Sequence, residues 1–306
     1  MKDKDRKKYH LLMVFLVIAW GSELAVAKGA LEIVDPIVIL TVKYVLGAMV
    51  MAAVLLKTRG FRLLKKRDLG ICIICSLVGH ILYYFFEYSA LETVPVANIT
   101  ILMGFLPVGS VIVEKLLFKR RSSKALIVGM LVCVFGIALT IGNDLMSLGG
   151  GKLAGYLMCV GAVGAWLIYL FVTEAVSEDY DSTLIAFYQT VIAAILTMPY
   201  TLTHMPDISL VGTEALPELL YLGLVSEGLC FMIEVKGIQK LGPTISGVYS
   251  NFLPVTTAIF GVIMLGQELG LLQCIGGVIV IVSGCAVIRE KSRLEEQEAV
   301  ACEVRR

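Results

Sequence analysis

The feature that most constrains this chain is a succession of apolar runs, each close to the about 20 residues that an α-helix needs to cross a bilayer. Loops with Pro, Gly, Asp or Asn separate them, as at Asp35-Pro36 and Gly242-Pro243. Because a backbone in lipid must satisfy its own hydrogen bonds, these runs predict an all-α membrane protein with ten transmembrane helices. The ten runs span residues 11–30, 36–56, 69–91, 95–118, 125–142, 153–173, 183–203, 217–238, 243–265 and 270–288.

Composition agrees with a membrane location. The chain is 58% hydrophobic and 17% charged, whereas soluble domains average about 45–50% apolar and about 25% charged residues. Seven of the eight cysteines lie in apolar runs, where thiols pack as small hydrophobic groups. Cys72 and Cys75 form one C-x-x-C pair, but no second pair accompanies it. We therefore favour packing over a zinc or redox role for these cysteines.

An internal repeat divides the chain into two halves. The tetrapeptide FLPV occurs at Phe105–Val108 and again at Phe252–Val255, 147 positions later. The same offset pairs other residues of the two halves, and an offset of 146 pairs Trp20 with Trp166, the two tryptophans of the chain. Each FLPV places a proline inside an apolar run, so Pro107 and Pro254 are predicted helix kinks that border one central cavity.

Lysine and arginine are distributed unevenly over the predicted loops. The segments that face one side include the N-terminus with five, the second loop with six and the fourth loop with four, while the opposite side has only Lys152. By the positive-inside rule both termini are cytoplasmic. Each half has five predicted helices, an odd number, so the halves enter the membrane from opposite sides as inverted repeats.

The predicted organisation has five parts. They are a basic cytoplasmic segment at 1–10, a first repeat at 11–142, a linker at 143–152, a second repeat at 153–288 and a charged cytoplasmic tail at 289–306. The basic start and the Ala25-Val26-Ala27 stretch imitate a secretory signal with its cleavage site. Because the first helix matches the sixth in the repeat, we expect it to be retained.

Several short motifs resemble the drug/metabolite transporter superfamily, in its ten-helix EamA-type branch. In the second half these are Leu241-Gly242-Pro243-Thr244, FLPV, and Leu265-Gly266-Gln267-Glu268; in the first half they include Ala19-Trp20-Gly21-Ser22 and Asp35-Pro36. The resemblance covers about residues 11–288. The first half departs from the pattern at Lys119-Arg120-Arg121, which replaces a Leu-Gly-Glu segment, and at Lys43, a position more often arginine.

What this resemblance implies is a secondary transporter of small organic solutes, often directed outward, in the plasma membrane of a bacterium. Inverted repeats with broken helices are also the usual way in which carriers build a site near the midplane and expose it alternately to each side. The partners implied are a small-molecule substrate, the lipid bilayer and, where transport is coupled, protons. The fifth and tenth helices carry few polar residues, so they could face lipid or a second copy in a homodimer.

Ionisable residues inside the predicted spans form two matching stripes. His80, Tyr84 and Glu87 share one face of the third helix, and Glu227, Phe231 and Glu234 occupy the same positions of the eighth. We expect His80 and Glu227 near the midplane, Glu87 toward the outside and Glu234 toward the cytoplasm. Charged groups in a span normally face a cavity or a partner, so the stripes are candidates for substrate or proton binding. The alternative is hydration of both glutamates near the helix ends and simple packing of the other pair.

A second candidate group includes Glu23 on the first helix and Lys43 on the second, which lie at equal distance from the loop that joins them. We expect an ion pair, with anion binding by Lys43 as the alternative. Trp20, Trp166 and Asn251 are the aromatic and amide residues that we favour for the cavity wall, because rings with few polar groups suit an amphipathic metabolite.

Other classes of function have no support in the motifs. There is no Walker A stretch, catalytic triad or metal-ligand spacing, so we predict neither an enzyme nor a bound cofactor or nucleic acid. Three functions remain open: an exporter of amino acids or related metabolites driven by protons or another gradient, a facilitator or exchanger of another solute class such as sugar derivatives, and a membrane enzyme or sensor on the same scaffold.

Overall fold

The computed structural model describes residues 3–106, 108–109, 111–113, 123–146, 152–173, 175–176, 179–204, 215–241, 249 and 252–304. Over these residues the chain is helical and contains no β-strand. We number the helices along the chain: α1 (Asp3–Leu31), α2 (Pro36–Thr58), α3 (Lys66–Leu91), α4 (Val96–Met103), α5 (Lys124–Met146), α6 (Lys152–Thr173), α7 (Ser182–Thr203), α8 (Leu216–Leu220, Tyr221–Cys230 and Phe231–Leu241 in direct succession), α9 (Leu253–Leu265) and α10 (Leu271–Val304).

Six of these helices, α1, α2, α3, α6, α7 and α8, are long and apolar enough to cross a membrane. Shorter apolar helical stretches lie in α5, α9 and α10, at Lys124–Thr140, Leu253–Leu265 and Leu271–Val287. The chain is thus an integral membrane protein. Ten spanning helices in two inverted repeats remain a prediction, as does the cytoplasmic position of the termini.

Three helix boundaries differ from those expected. α1 begins at Asp3, inside the predicted N-terminal segment, α5 continues to Met146, inside the predicted linker, and α10 continues to Val304 through most of the predicted tail. An apolar run indicates which part of a helix can lie in lipid, but the helix itself can extend beyond that run. The tail is rich in Glu, Ala and Arg, which favour helix in water as well.

Equivalent caps begin α2 and α7. The Asp35 side chain accepts a hydrogen bond from the backbone N–H of Ile37, and Asp181 accepts one from Thr183, each at 2.8 Å. Both satisfy an otherwise unpaired N–H of the first turn. The two aspartates are 146 positions apart, the offset that relates the two tryptophans.

The FLPV copies coincide with interruptions of helical structure. Phe105 and Phe252 both lie in turns. α9 begins at Leu253, so Pro254 lies in its first turn, where the missing N–H costs no hydrogen bond. The expected kink in the middle of one continuous helix is therefore, in the described part of the second copy, a helix start. Pro254 is buried, while Pro107 lies outside the described residues.

The outer surface is apolar, unlike that of a soluble protein. Large apolar side chains such as Leu131, Ile195, Ile263 and Val278 are more than half exposed, whereas several ionisable groups inside α1, α2, α3 and α8 are buried: Glu23, Lys43, His80, Glu87, Glu227 and Glu234. In lipid this is the stable arrangement, because tails solvate the apolar exterior and the charged groups find partners only inside the bundle.

Helices of the two halves interleave. α2 packs along α7 and α8, α1 along α9, α3 along α6, and α5 along α10. Glycines allow the last contact: a Cβ added to Gly136 would lie 3.0 Å from the Gly276 carbonyl. α5 and α10 thus pack on each other, and each keeps an exposed apolar face. The interior between α1, α2, α3 and α8 holds the ionisable residues.

Candidate functional site

Two π-helical segments lie at matching positions of α3 and α8. They are Ser76–Leu82, which contains His80, and Tyr221–Cys230, which contains Glu227. Wider π-helical turns are rare and are frequently found at functional sites. Both residues are 1% exposed, so each segment turns an ionisable group into the centre of the bundle.

Aromatic side chains from neighbouring helices bond the backbone of these segments. The Tyr44 hydroxyl of α2 donates to the His80 carbonyl, and Trp20 Nε1 of α1 donates to the Ser226 carbonyl at 3.2 Å. Because an altered hydrogen-bond ladder leaves carbonyls available, these donors stabilise the π-helical turns. Trp20, predicted for the cavity wall, thus acts on the backbone next to Glu227.

Lys43 lies at the centre of the site and is fully buried. Its Nζ lies 2.5 Å from Glu23 Oε1 and 3.8 Å from Glu227 Oε2. The same ammonium lies 3.5 Å from the centroid of the Tyr84 ring, which attracts a cation through its π-electrons. The expected ion pair between Glu23 and Lys43 is therefore present, and Glu227 joins it from the other half of the chain.

Glu227 contacts residues of three other helices. Besides Lys43 of α2, its Oε1 lies 3.4 Å from His80 Nε2 of α3 and accepts a 2.8 Å hydrogen bond from Thr190 Oγ1 of α7. Together Glu23, Lys43, His80 and Glu227 form what we call the charge cluster. A buried charge is tolerated only with such partners, so the cluster couples the positions of four helices.

Small residues bring α2 and α8 close enough for the contact between Lys43 and Glu227. A Cβ added to Gly47 would collide with the Glu227 side chain, and Cβ atoms added to Gly223 and Gly228 would collide with Leu46 and Val50. The glycines therefore set the distance at which the two halves meet.

Glu87 lies beside the charge cluster in an aromatic environment. Its Oε1 accepts a 2.6 Å hydrogen bond from the Tyr83 hydroxyl, and Glu23 and Lys43 act on its carboxyl electrostatically. The Trp166 ring lies 4.9 Å from Tyr83 and 4.8 Å from Tyr169, centroid to centroid. An aromatic wall thus connects Glu87 to the charge cluster, and Trp166 belongs to this wall.

Glu234, the last residue of the α8 stripe, lies apart from the charge cluster. It is 7% exposed, and its Oε2 has no hydrogen-bond partner among the described residues. Phe231, between Glu227 and Glu234, packs against His80 at 4.9 Å, so the stripes meet at their middle and not along their length. Asn251 lies outside the described residues.

Sequence reasoning missed Tyr44 and Thr190, although a signal existed. These residues are 146 positions apart, and each places a hydroxyl on a residue of the matched pair, Tyr44 on the His80 carbonyl and Thr190 on Glu227. Extending the repeat alignment to polar side chains of α2 and α7 would have found them.

A groove of about 600 Å³ lies on the other side of α2, against α7. Its lining is apolar and includes Met49, Ile195 and Leu202, which are more than half exposed. The groove contains no member of the charge cluster, so it is not the central cavity expected from the sequence.

The fold and the charge cluster together define an integral membrane protein with a polar centre where two halves of the chain meet, the arrangement found in secondary carriers. A model of the EamA-like transporter family matches residues 7–142 and again residues 153–289. The chain belongs to this family. It is a membrane transporter and not an enzyme.

Similar proteins are transporters as well. An uncharacterized transporter of Archaeoglobus fulgidus is 21% identical over 90% of this chain and 95% of its own length. The uncharacterized transporter YyaM of Bacillus subtilis is 22% identical over 95% and 98%, and the threonine/homoserine exporter RhtA of Escherichia coli K12 is 24% identical over 94% and 93%. A crystal structure at 22% identity superposes with a TM-score of 0.68 and covers 92% of this chain and 98% of its own, so the two share a fold.

Proposed function

We propose that this chain is a secondary active transporter that exports small amphipathic metabolites, amino acids first among them, by alternating access. The observation that carries the proposal is the charge cluster, in which Lys43 and His80 of one half contact Glu227 of the other within a lipid-embedded bundle. A site between the halves changes its exposure when the halves move relative to each other.

The chemistry of the site favours a substrate with an amine. Among the described residues around Lys43, the carboxyls of Glu23, Glu87 and Glu227 outnumber the single lysine, and the rings of Tyr83, Tyr84 and Trp166 lie beside them. Carboxylates and ring faces bind ammonium groups, and the rings also contact an apolar body. The similarity to an exporter of threonine and homoserine supports amino acids and outward transport.

Proton coupling is part of the proposal, with Glu227 and Glu87 as the proton-binding groups. Titratable groups of α2, α3, α6 and α8 act on Glu227. They are Lys43, Tyr44, His80, Tyr84, Tyr88, Tyr169 and Cys230. Glu23 of α1 shares Lys43 with Glu227, and α7 contributes the neutral hydroxyl of Thr190. The titratable groups that act on Glu87 are Glu23, Lys43, Tyr44, Tyr83, Tyr84, Tyr88 and Cys159.

The test is flux in proteoliposomes loaded with single solutes. We expect efflux and counterflow of amino acids such as threonine and homoserine, and neither for sugar phosphates or nucleosides. Transport of a sugar derivative in place of amino acids would favour the facilitator or exchanger, and no flux of any solute would overturn the proposal.

Coupling is tested with Glu227→Gln and Glu87→Gln over a pH series. Glu92→Gln, at the exposed end of α3, is the matched control. We expect the pH dependence of efflux to flatten in Glu227→Gln, in Glu87→Gln or in both, and to persist in the control. An unchanged pH profile in both variants would exclude coupling through these carboxyls.

The orientation and assembly that we propose follow from the sequence and the exposed surface. Both termini lie in the cytoplasm, and the membrane is the bacterial plasma membrane. A homodimer would form through the exposed apolar faces of α5 and α10, which include Leu131, Phe135 and Val278. Charged substitutions at these three positions would then yield a monomer in detergent.

A further inference from the structure

The environment of Lys43 Nζ has the composition of an ammonium-binding site. A carboxylate oxygen of Glu23 lies at 2.5 Å, one of Glu227 at 3.8 Å, and the Tyr84 ring centroid at 3.5 Å. Carboxylates together with an aromatic face are the groups with which proteins recognise amine ligands. Here the bound ammonium belongs to the protein itself, on a flexible four-carbon stem.

The carboxylates of Glu23 and Glu227 contact Lys43 differently. Glu23 is in hydrogen-bond contact with Lys43, whereas Glu227 Oε2 has no hydrogen-bond partner among the described residues and is in ion-pair range only. The buried Tyr88 hydroxyl and His80 Nδ1 also have no hydrogen-bond partner among these residues. Glu227 Oε2 can therefore accept a second ammonium while Lys43 stays on Glu23, or while it moves away.

An empty carrier must also change its exposure, and this step is where Lys43 matters. Unpaired carboxylates are costly in the low-dielectric interior of a membrane protein. A carrier without its own cation could move only with substrate or with protons bound. Among the described residues Lys43 is the one lysine or arginine that is buried, so it can compensate the carboxylates when no substrate is present.

We propose that Lys43 is a built-in substitute for the substrate's ammonium group. In the empty carrier its ammonium holds Glu23 and Glu227, and a primary ammonium of the substrate displaces it from Glu227 first. The inference rests on the proposed transport function and makes it more specific: the substrate class is one with a primary amine, and the carrier can return without substrate, with Lys43 on Glu23 and Glu227 and the coupled proton on Glu87.

Two flux measurements separate this role from others. Zero-trans efflux requires the return of the empty carrier, whereas counterflow between two pools of substrate does not. We expect Lys43→Gln to lower zero-trans efflux about 100-fold, the equivalent of one uncompensated buried charge, and to lower counterflow of threonine much less. Lys57→Gln, at the exposed end of α2, should change neither.

Two further variants keep the test decisive if Lys43→Gln folds poorly. Lys43→Gln with Glu23→Gln removes one cation and one carboxyl, and we expect zero-trans efflux to recover to within a few-fold of wild type. Lys43→Arg keeps the charge, but a guanidinium bridges two carboxylates more firmly and is harder to displace. We expect its KM for threonine to rise about tenfold.

The ligand class is tested with a matched pair of solutes, threonine and 3-hydroxybutyrate, which lacks only the amine. We expect counterflow of threonine alone. Equal counterflow of both solutes, equal loss of efflux and counterflow in a folded Lys43→Gln, or an unchanged KM in Lys43→Arg would overturn the role of Lys43 and leave the transport function standing. A wild-type protein that moves no amine would overturn both.

Discussion

The side chains of His80 and Glu227 lie 3.4 Å apart, although 147 residues separate them in the sequence. They occupy the same position of the two matched stripes, and each lies in a π-helical segment. The contact therefore joins two equivalent points of the two halves. Any movement of one half against the other must change it, which is why we place the transport site here.

The close approach of α2 and α8 at Gly47 should be essential for the position of Glu227. Gly47→Ala would push a methyl group into the Glu227 side chain, whereas Gly29→Ala meets nothing within 4 Å. We expect Gly47→Ala to lower stability by about 1–3 kcal/mol, as overpacking does, and to reduce flux. Thermal unfolding in detergent and counterflow measure both effects. Equal behaviour of the two variants would show that α2 and α8 can separate without consequence.

The hydroxyl of Thr190 should hold Glu227 in place. Thr190→Val keeps the shape and removes the 2.8 Å hydrogen bond to Oε1, which we expect to cost about 1.5–3 kcal/mol because the acceptor is a charged group. The control is Thr58→Val, whose hydroxyl bonds only its own helix at an exposed position. A threonine KM that stays at the wild-type value in Thr190→Val would contradict a positioning role.

Loops of the two halves also meet on the side where α1 begins. The Tyr180 hydroxyl accepts a hydrogen bond from the Lys65 N–H at 3.1 Å, and Lys65 Nζ lies 3.7 Å from Asp179 Oδ2. Alternating access requires one such closure to open in each cycle. We expect a reducible cross-linker between Lys65→Cys and Asp179→Cys to lower flux about tenfold or more, since closure removes one of two obligatory states. Reduction should restore the flux, and each single variant with the reagent is the control.

The predicted orientation can be tested by labelling. In a background without the exposed Cys274 and without Cys302 of the tail, Arg62→Cys should react with a membrane-impermeant maleimide only after the cells are opened, and Lys152→Cys should react in intact cells. The positive-inside rule is the reason for this expectation. Labelling of Arg62→Cys from outside would reverse the assignment of both termini.

Patterns of residue types in the sequence predicted several residues of the candidate site. Apolar runs located α1, α2, α3, α6, α7 and α8, because lipid demands a minimum apolar length. The stripes of α3 and α8 marked His80 and Glu227, because a charge in a span needs a partner. The pair of Glu23 and Lys43 followed from equal depth on adjacent helices.

Other features were beyond reach of such patterns. The π-helical turns depend on donors from other helices, such as Trp20 and Tyr44, and no local propensity marks them. The helix start at Pro254 looked like a kink because a proline in an apolar run fits both. Glu234 is an ionisable stripe residue like Glu227, yet Glu227 is the one that faces Lys43, since α2 packs closely on α8 around Gly223, Glu227 and Gly228.

The sequence by itself determined that this chain is a membrane protein and that it belongs to a transporter family. It also determined which charged groups in the interior need a partner, because placing an unpaired backbone group or charge in lipid is costly. Only the tertiary structure decided which charges meet. That choice depends on how closely two helices approach and on how their turns are wound, and both are set by packing between residues far apart in the chain. The contact between Lys43 and Glu227 results from that packing.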